Sequence, residues 1–195
     1  MSNSNSIYTN RKTIQLRKDN PVVRFLGTVD PDKCLDYIVH AKDWGLQDTL
    51  QLRTNNGIDY DVSKLQSYNH SNIHSPYTTN PEPETTDYNC VYPEYQSLVN
   101  DIESTIGNTY RMRWAKLNGG EVLDWHMDPP TGDRFIIVVR GSHEVQLDVK
   151  GKIVSQQMGP GEIWYINSNW YHRVINNSLD DRYAILGCFD INSSI

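Results

Sequence analysis

The chain has 195 residues, a length that suits one domain with a real core, but only 37% of them are apolar, so twelve tyrosines and five tryptophans must supply much of the packing surface. Its net charge is −6 with mixed signs and no basic block, which excludes a nucleic-acid phosphate backbone as the main partner. The Ser/Asn-rich start, Met1–Thr9, has no apolar core and the longest apolar run, Phe135–Val139, has only the length of a strand, so neither a signal peptide nor a membrane span is expected.

Residues 1–12 read as a flexible arm and 13–195 as a single domain. Thr13–Leu16 and Val22–Leu26 are short strand-like pieces. Asp30-Pro31 starts a helix, with Asp30 as N-cap and Pro31 in the first helical position. Leu35, Ile38, Val39 and Lys42 mark one face of it, and Gly45 is its stop. His40 in that helix reads as an ordinary helix histidine. Leu50–Arg53 is a candidate strand and Asn55-Asn56-Gly57 a turn. His70 and His74 have helical metal-pair spacing, but the Ser, Asn and Pro residues around them argue for loop. The Pro- and acid-rich segment 77–89 is a long loop and a candidate substrate cover. Tyr92-Pro93-Glu94 opens a second helix to about Ile106. Tyr95, Leu98, Val99, Ile102 and Ile106 form its apolar stripe, Gly107 closes it, and the stripe is expected to pack on a sheet.

From Asn108 the apolar period changes from helical to two. The predicted strands are Thr109–Leu117, Glu121–Asp128, Arg134–Arg140, His143–Val149, Lys152–Gln157, Glu162–Ile166, Trp170–Ile175 and Arg182–Phe189, with Gly, Asn, Pro or Asp turns between them. Eight short strands without an intervening helix predict a mainly β fold: a double-stranded β-helix, the jelly-roll or cupin-like barrel, over about 108–190, with two or so helices outside it. Cys34, Cys90 and Cys188 are odd in number and widely spaced. They make neither a disulfide framework nor a Cys-x-x-Cys metal pattern, which fits a reducing, cytoplasmic compartment.

Within that barrel one constellation carries chemistry. His126 and Asp128 are two residues apart, so on a strand both side chains share a face, with Trp125 and Met127 on the other. His172 offers a third ligand from another strand. Two histidines and one carboxylate make the facial triad of non-haem Fe(II) oxygenases, which leaves coordination positions open. Ten residues beyond His172 stands Arg182, on a face with Ala184 and Leu186, where a cation is costly unless an anion such as a carboxylate meets it. Each residue also has a plainer reading. His126 and Asp128 suit a solvated strand end, His172 a core histidine, and Arg182 an ion pair with Asp180 or Asp181.

The segments His126-Met127-Asp128, Arg134-Phe135-Ile136-Ile137-Val138-Val139, Gly159-Pro160-Gly161-Glu162-Ile163-Trp164-Tyr165, His172-Arg173-Val174-Ile175-Asn176-Asn177-Ser178 and Arg182-Tyr183-Ala184-Ile185-Leu186 together resemble the aspartyl/asparaginyl β-hydroxylase-like family. Its members are Fe(II)- and 2-oxoglutarate-dependent dioxygenases, and free-proline hydroxylases are related to them. The resemblance covers about residues 108–190, and its most specific part is the Gly-Glu-aromatic strand followed by His-x-Val-x-Asn and Arg. It implies iron held by His126, Asp128 and His172, with Arg182 on the distal carboxylate of 2-oxoglutarate and Arg134 near that co-substrate or the substrate carboxylate. Related oxygenases often carry a hydroxyl residue two positions after the arginine. This chain has Ala184 there, so the second donor is expected from Tyr110, Trp114 or Tyr165.

The reaction so implied consumes O2 and 2-oxoglutarate and hydroxylates an unactivated C–H bond of an amino acid or of a peptidyl Asp, Asn or Pro-type side chain. A substrate carboxylate could meet Arg111, Arg113, Arg134 or Arg140. Arg111 and Arg113 alternate with Met112 and Trp114, which makes one strand face cationic. Two other classes compete with this reading: a cupin-type metalloenzyme that does not use 2-oxoglutarate, and a non-catalytic jelly-roll binding module with structural histidines.

Overall fold

The computed structural model describes residues 20–38, 49–51, 53–54, 90–91, 95–128 and 133–189. The N-terminal arm, the Thr13–Leu16 strand, His40, Gly45, the Asn55-Asn56-Gly57 turn, the His70 and His74 pair, the 77–89 loop and the loop 129–132 lie outside these residues.

In chain order the elements are β1 (Val23–Thr28), α1 (Pro31–Ile38), β2 (Thr49–Gln51), β3 (Arg53–Thr54), β4 (Cys90–Val91) and α2 (Gln96–Ile106). The barrel strands follow: β5 (Thr109–Leu117), β6 (Val122–His126), β7 (Asp133–Arg140), β8 (His143–Val149), β9 (Lys152–Met158), β10 (Glu162–Ile166), β11 (Tyr171–Ile175) and β12 (Arg182–Phe189). Asp30 caps α1 as its sequence predicts, its Oδ1 accepting the N–H of Asp32 at 3.0 Å. The second helix begins at Gln96 rather than at the Tyr92-Pro93 signal, and residues 92–94 are not described.

Two antiparallel sheets face each other. One has the order β1-β10-β7-β12-β5-β2, the other β6-β11-β8-β9. Strands of the final run thus interleave between the sheets, β5, β7, β10 and β12 in the first and β6, β8, β9 and β11 in the second. This is the predicted double-stranded β-helix, a jelly-roll, cupin-like barrel. The β8–β9 connection is a tight hairpin. Lys150 (φ 55) and Gly151 (φ 80) both take left-handed backbone, and Asp148 Oδ1 accepts the N–H of Gly151 at 2.7 Å.

Strand alternation splits the apolar residues into two cores. Ile136, Val138, Val145, Leu147, Ile166, Val174 and Ala184 fill the space between the sheets. Met112, Trp114, Phe135, Ile137, Ile163, Tyr165 and Ile185 leave the other face of the six-stranded sheet and pack with Leu98, Val99, Ile102 and Ile106 of α2. The predicted helix stripe therefore meets a sheet, as expected. Gly187 lies on this outer face. A methyl there would sit 2.5 Å from Phe135 Cε1 and Cζ, so glycine lets the β12 backbone approach that ring. No helix among the described residues is long and apolar enough to cross a membrane.

Candidate metal centre

β6 and β11 are neighbours, and their register sets His126 directly opposite His172. The two imidazoles lie with centroids 4.2 Å apart and planes at 52°. β6 ends at His126 rather than at Asp128, because the Asp128 N–H leaves the ladder and donates to the Ser168 carbonyl at 3.1 Å. That turn still brings the carboxylate back to the histidines. One ligand atom from each of His126, Asp128 and His172 lies within 4.8 Å of the others, so the three can hold a metal ion together. Met127 is 43% exposed and Trp125 stacks under the Arg173 guanidinium on the outside, at 4.9 Å from ring centroid to Cζ.

Both histidines are oriented by backbone. His126 Nδ1 lies 2.6 Å from the Asp124 carbonyl oxygen and His172 Nδ1 3.0 Å from that of Trp170. A carbonyl only accepts, so each Nδ1 carries the proton and each Nε2 keeps its lone pair for a metal. Burial holds the His172 pKa down to about 4, against the opposing pull of the Asp128 carboxylate, so the ring is neutral at neutral pH. Burial would raise the Asp128 pKa, but Arg134, His172, His126 and Arg113 outweigh it and keep the carboxyl well below the usual carboxylate range. Arg134 Nε stands 3.1 Å from Asp128 Oδ2, an ion pair, and Arg134 Nη1 reaches Cys188 Sγ at 3.4 Å. Arg134 thus serves the carboxylate ligand directly. Arg113, half-buried, shares the inward face of β5 with Ala115 and Leu117, while Arg140 is exposed at the far end of β7.

Arg182 begins β12, 3% exposed, on the inward face with Ala184. Of its predicted rivals for an ion pair, Asp181 pairs with Lys116 at 3.0 Å, and among the described residues Arg182 makes no ion pair. Burial lowers its pKa to about 10, an effect that Glu121 partly offsets, so it remains a cation. Arg182 Nε has no hydrogen-bond partner among the described residues.

Trp114 and Tyr165, expected as donors to a co-substrate, do not reach this interior. Both belong to the outer core under α2, one residue out of phase with the inward-facing Ala115 and Ile166. The side chain of Tyr110, the third expected donor, lies outside the described residues. The tryptophans bordering the interior are Trp164 and Trp170. The residue that motif spacing did not single out is His143, fully buried on the inward face of β8, whose Nδ1 lies 3.1 Å from Arg182 Nη1. The signal was present in β8, where His143, Val145 and Leu147 alternate with polar residues.

Asn176 explains the asparagine of the His-x-Val-x-Asn segment. It is 1% exposed, and its Nδ2 donates to the carbonyls of Leu117, Asn118 and Asp180 at 3.1, 3.0 and 2.8 Å, while its Oδ1 accepts from Ser178 Oγ at 2.7 Å. It ties the end of β5 to the loop that delivers Arg182. Asn176→Ala leaves those carbonyls without their donor and is expected to cost about 2–4 kcal/mol, read as a lower urea midpoint with an unchanged slope.

No protein-family model matches the chain, and no curated protein matches it. Among solved structures, oxalate decarboxylase from Bacillus subtilis aligns with 40% of this chain and 21% of its own length, at 14% identity and a TM-score of 0.37. The Drosophila melanogaster CENP-C cupin domain aligns with 38% of this chain and 57% of its own, at 12% identity and a TM-score of 0.35. Likeness at this level carries no argument about chemistry. The fold assignment rests on the sheet order.

Proposed function

We propose that this protein is an Fe(II)- and 2-oxoglutarate-dependent dioxygenase that hydroxylates an unactivated C–H bond of an amino acid or of a peptidyl Asp, Asn or Pro-type side chain. The observation that carries the reading is the donor set of His126, Asp128 and His172, with both Nε2 lone pairs free and the carboxyl held ionised. Two imidazoles and one carboxylate suit ferrous iron with open positions. A metal bound there would supply oxygen activation coupled to decarboxylation of 2-oxoglutarate, chemistry that belongs to the cofactor and not to the side chains.

The chain's own residues bind, orient and exclude water. Arg134 holds Asp128 in its ionised form and fixes its direction. Arg182, a buried cation on the inward face, receives the distal carboxylate of 2-oxoglutarate. Arg113 is a half-buried cation close enough to depress the Asp128 pKa, and it suits the carboxylate of an amino-acid substrate. Val174, Trp164 and Trp170 make the adjoining interior apolar and limit the access of water. Cys34 and Cys188 are buried free thiols, which supports a reducing, cytoplasmic setting.

The test is an anaerobic titration of the metal-free protein with Fe(II) and then 2-oxoglutarate, followed by the visible metal-to-ligand charge-transfer band. A band that requires both additions is expected. Tight Fe(II) binding with no band on adding 2-oxoglutarate would replace this reading with a metalloenzyme that does not use it. Absence of Fe(II) binding by folded protein would leave a binding module.

A further inference from the structure

His143 opens β8 on the inward face of the barrel and is 0% exposed. Its contact with Arg182 fixes its tautomer. A guanidinium has only N–H donors, so Arg182 Nη1 donates and His143 Nδ1 accepts, at 3.1 Å. Burial, reinforced by the Arg182 charge, holds the His143 pKa well below its ordinary value, and the ring is neutral. Its single N–H proton is therefore on Nε2. Neither His143 Nε2 nor Arg182 Nε has a hydrogen-bond partner among the described residues. Two buried N–H donors and one cation thus belong to two side chains in contact, and no acceptor among the described residues answers those donors, an arrangement that costs stability unless a ligand meets it.

The missing group is defined by this chemistry. It is anionic, to answer Arg182, and it has more than one acceptor oxygen, to answer two donors. A carboxylate has both properties. The described carboxylate that influences Arg182 is Glu121, which is exposed and whose Oε2 already accepts the Asn118 N–H at 3.0 Å. The position along the barrel is also informative. Leu147 of β8 stands opposite His172, and His143 lies four residues earlier on the same inward face. That separation is roughly 13 Å along the strand. The clamp therefore stands at a different level of the barrel from the triad, on the same inward face of β8.

We propose that His143 Nε2–H is the second donor to the distal carboxylate of 2-oxoglutarate and forms with Arg182 a buried anion clamp. The proposal rests on the co-substrate reading above. It supplies from β8 the donor that Ala184 cannot provide, since Ala184 faces inward on β12 with no hydroxyl.

The experiment compares anaerobic binding of 2-oxoglutarate and of 2-oxovalerate, which keeps the 2-oxo acid head and lacks the distal carboxylate, to the Fe(II)-loaded protein. His143→Phe fills the volume without a donor, and His143→Gln restores an N–H. His143→Phe is expected to raise the 2-oxoglutarate dissociation constant about 10–100-fold while the Fe(II) and 2-oxovalerate constants move less than about threefold, and His143→Gln to recover most of the loss. A wild-type measurement stands beside the variants. In protein loaded with diamagnetic Zn(II) and labelled with 15N-histidine, the His143 Nε2–H resonance is expected to move on adding 2-oxoglutarate and to stay in place with 2-oxovalerate.

Unchanged 2-oxoglutarate affinity in His143→Phe, an equal weakening of both ligands, or a resonance that ignores 2-oxoglutarate overturns the clamp while leaving the co-substrate assignment intact. Failure of wild-type Fe(II) protein to bind 2-oxoglutarate overturns the assignment itself, and the clamp with it.

Discussion

His126→Ala and His172→Ala are expected to weaken Fe(II) binding by more than about 100-fold, because residues that merely orient metal ligands already contribute 10–100-fold. Each substitution removes one of three donors that lie within 4.8 Å of one another, and no fourth ligand-type side chain among the described residues joins that group. Asp128→Ala is expected to reach the same magnitude by a second route. It removes the charge that answers the metal and leaves Arg134, 5% exposed, without its ion-pair partner Asp128. Anaerobic Fe(II) titration of each metal-free variant checks this, with circular dichroism to confirm the fold. Retention of wild-type affinity by His172→Ala would show that the triad does not bind the metal.

The same groups set a pH dependence in the metal-free protein. The folded-state pKa of His172 is lowered to about 4, and that of His143 is also lowered, so the unfolded chain takes up protons first as pH falls. Stability therefore declines from about pH 6.5 downward, where the unfolded histidines begin to charge. Asp128, depressed below its ordinary value, contributes stability that is fully present above its unfolded pKa and lost at still lower pH. The urea midpoint of the metal-free protein is thus expected to fall between about pH 7 and about pH 5, and His172→Ala to flatten part of that fall. A midpoint that rises over this range would contradict the burial of neutral imidazoles.

The barrel strands were legible because period-two alternation and turn residues agree. β5, β8, β10 and β12 run over the same residues as their sequence readings, and the strand order follows from their interleaving. The direction of the aromatic side chains was not legible. Both faces of the six-stranded sheet are covered, one by α2 and the other by the second sheet, so β7 is buried at seven successive positions, Asp133 through Val139. With no polar face to mark the outside, Trp114 and Tyr165 suit either core by composition, and only their phase relative to Ala115 and Ile166 decides. Phase also depends on bulges, and the β12 ladders shift register between Tyr183 and Ala184 and between Leu186 and Cys188. The His126, Asp128 and His172 grouping survived such irregularities because two of its members sit in direct register. His143 meets Arg182 across 39 residues and two sheets, a contact no local spacing encodes.

Replacing Arg182 with Met is expected to separate function from stability in opposite directions. Arg182 is a buried cation with no ion pair among the described residues, and its Nε is without an acceptor there. In the ligand-free protein a charge so placed opposes folding, and an unbranched apolar side chain of similar length removes that opposition. Arg182→Met should therefore leave stability unchanged or raise it by up to about 2 kcal/mol, even though it removes a hydrogen bond to His143. The affinity for 2-oxoglutarate should fall by more than about 100-fold, since the proposed two-pronged partner of the distal carboxylate is gone, while Fe(II) and 2-oxovalerate still bind. Arg182→Lys keeps the charge without the planar fork and is expected to fall between the two. Urea denaturation and the anaerobic charge-transfer titration read the two halves independently. A structural arginine would give the reverse pattern, with lost stability and undisturbed ligand binding. A buried cation with no ion pair among the described residues is stabilised when an anion arrives to meet it, and this pair of measurements asks whether one does.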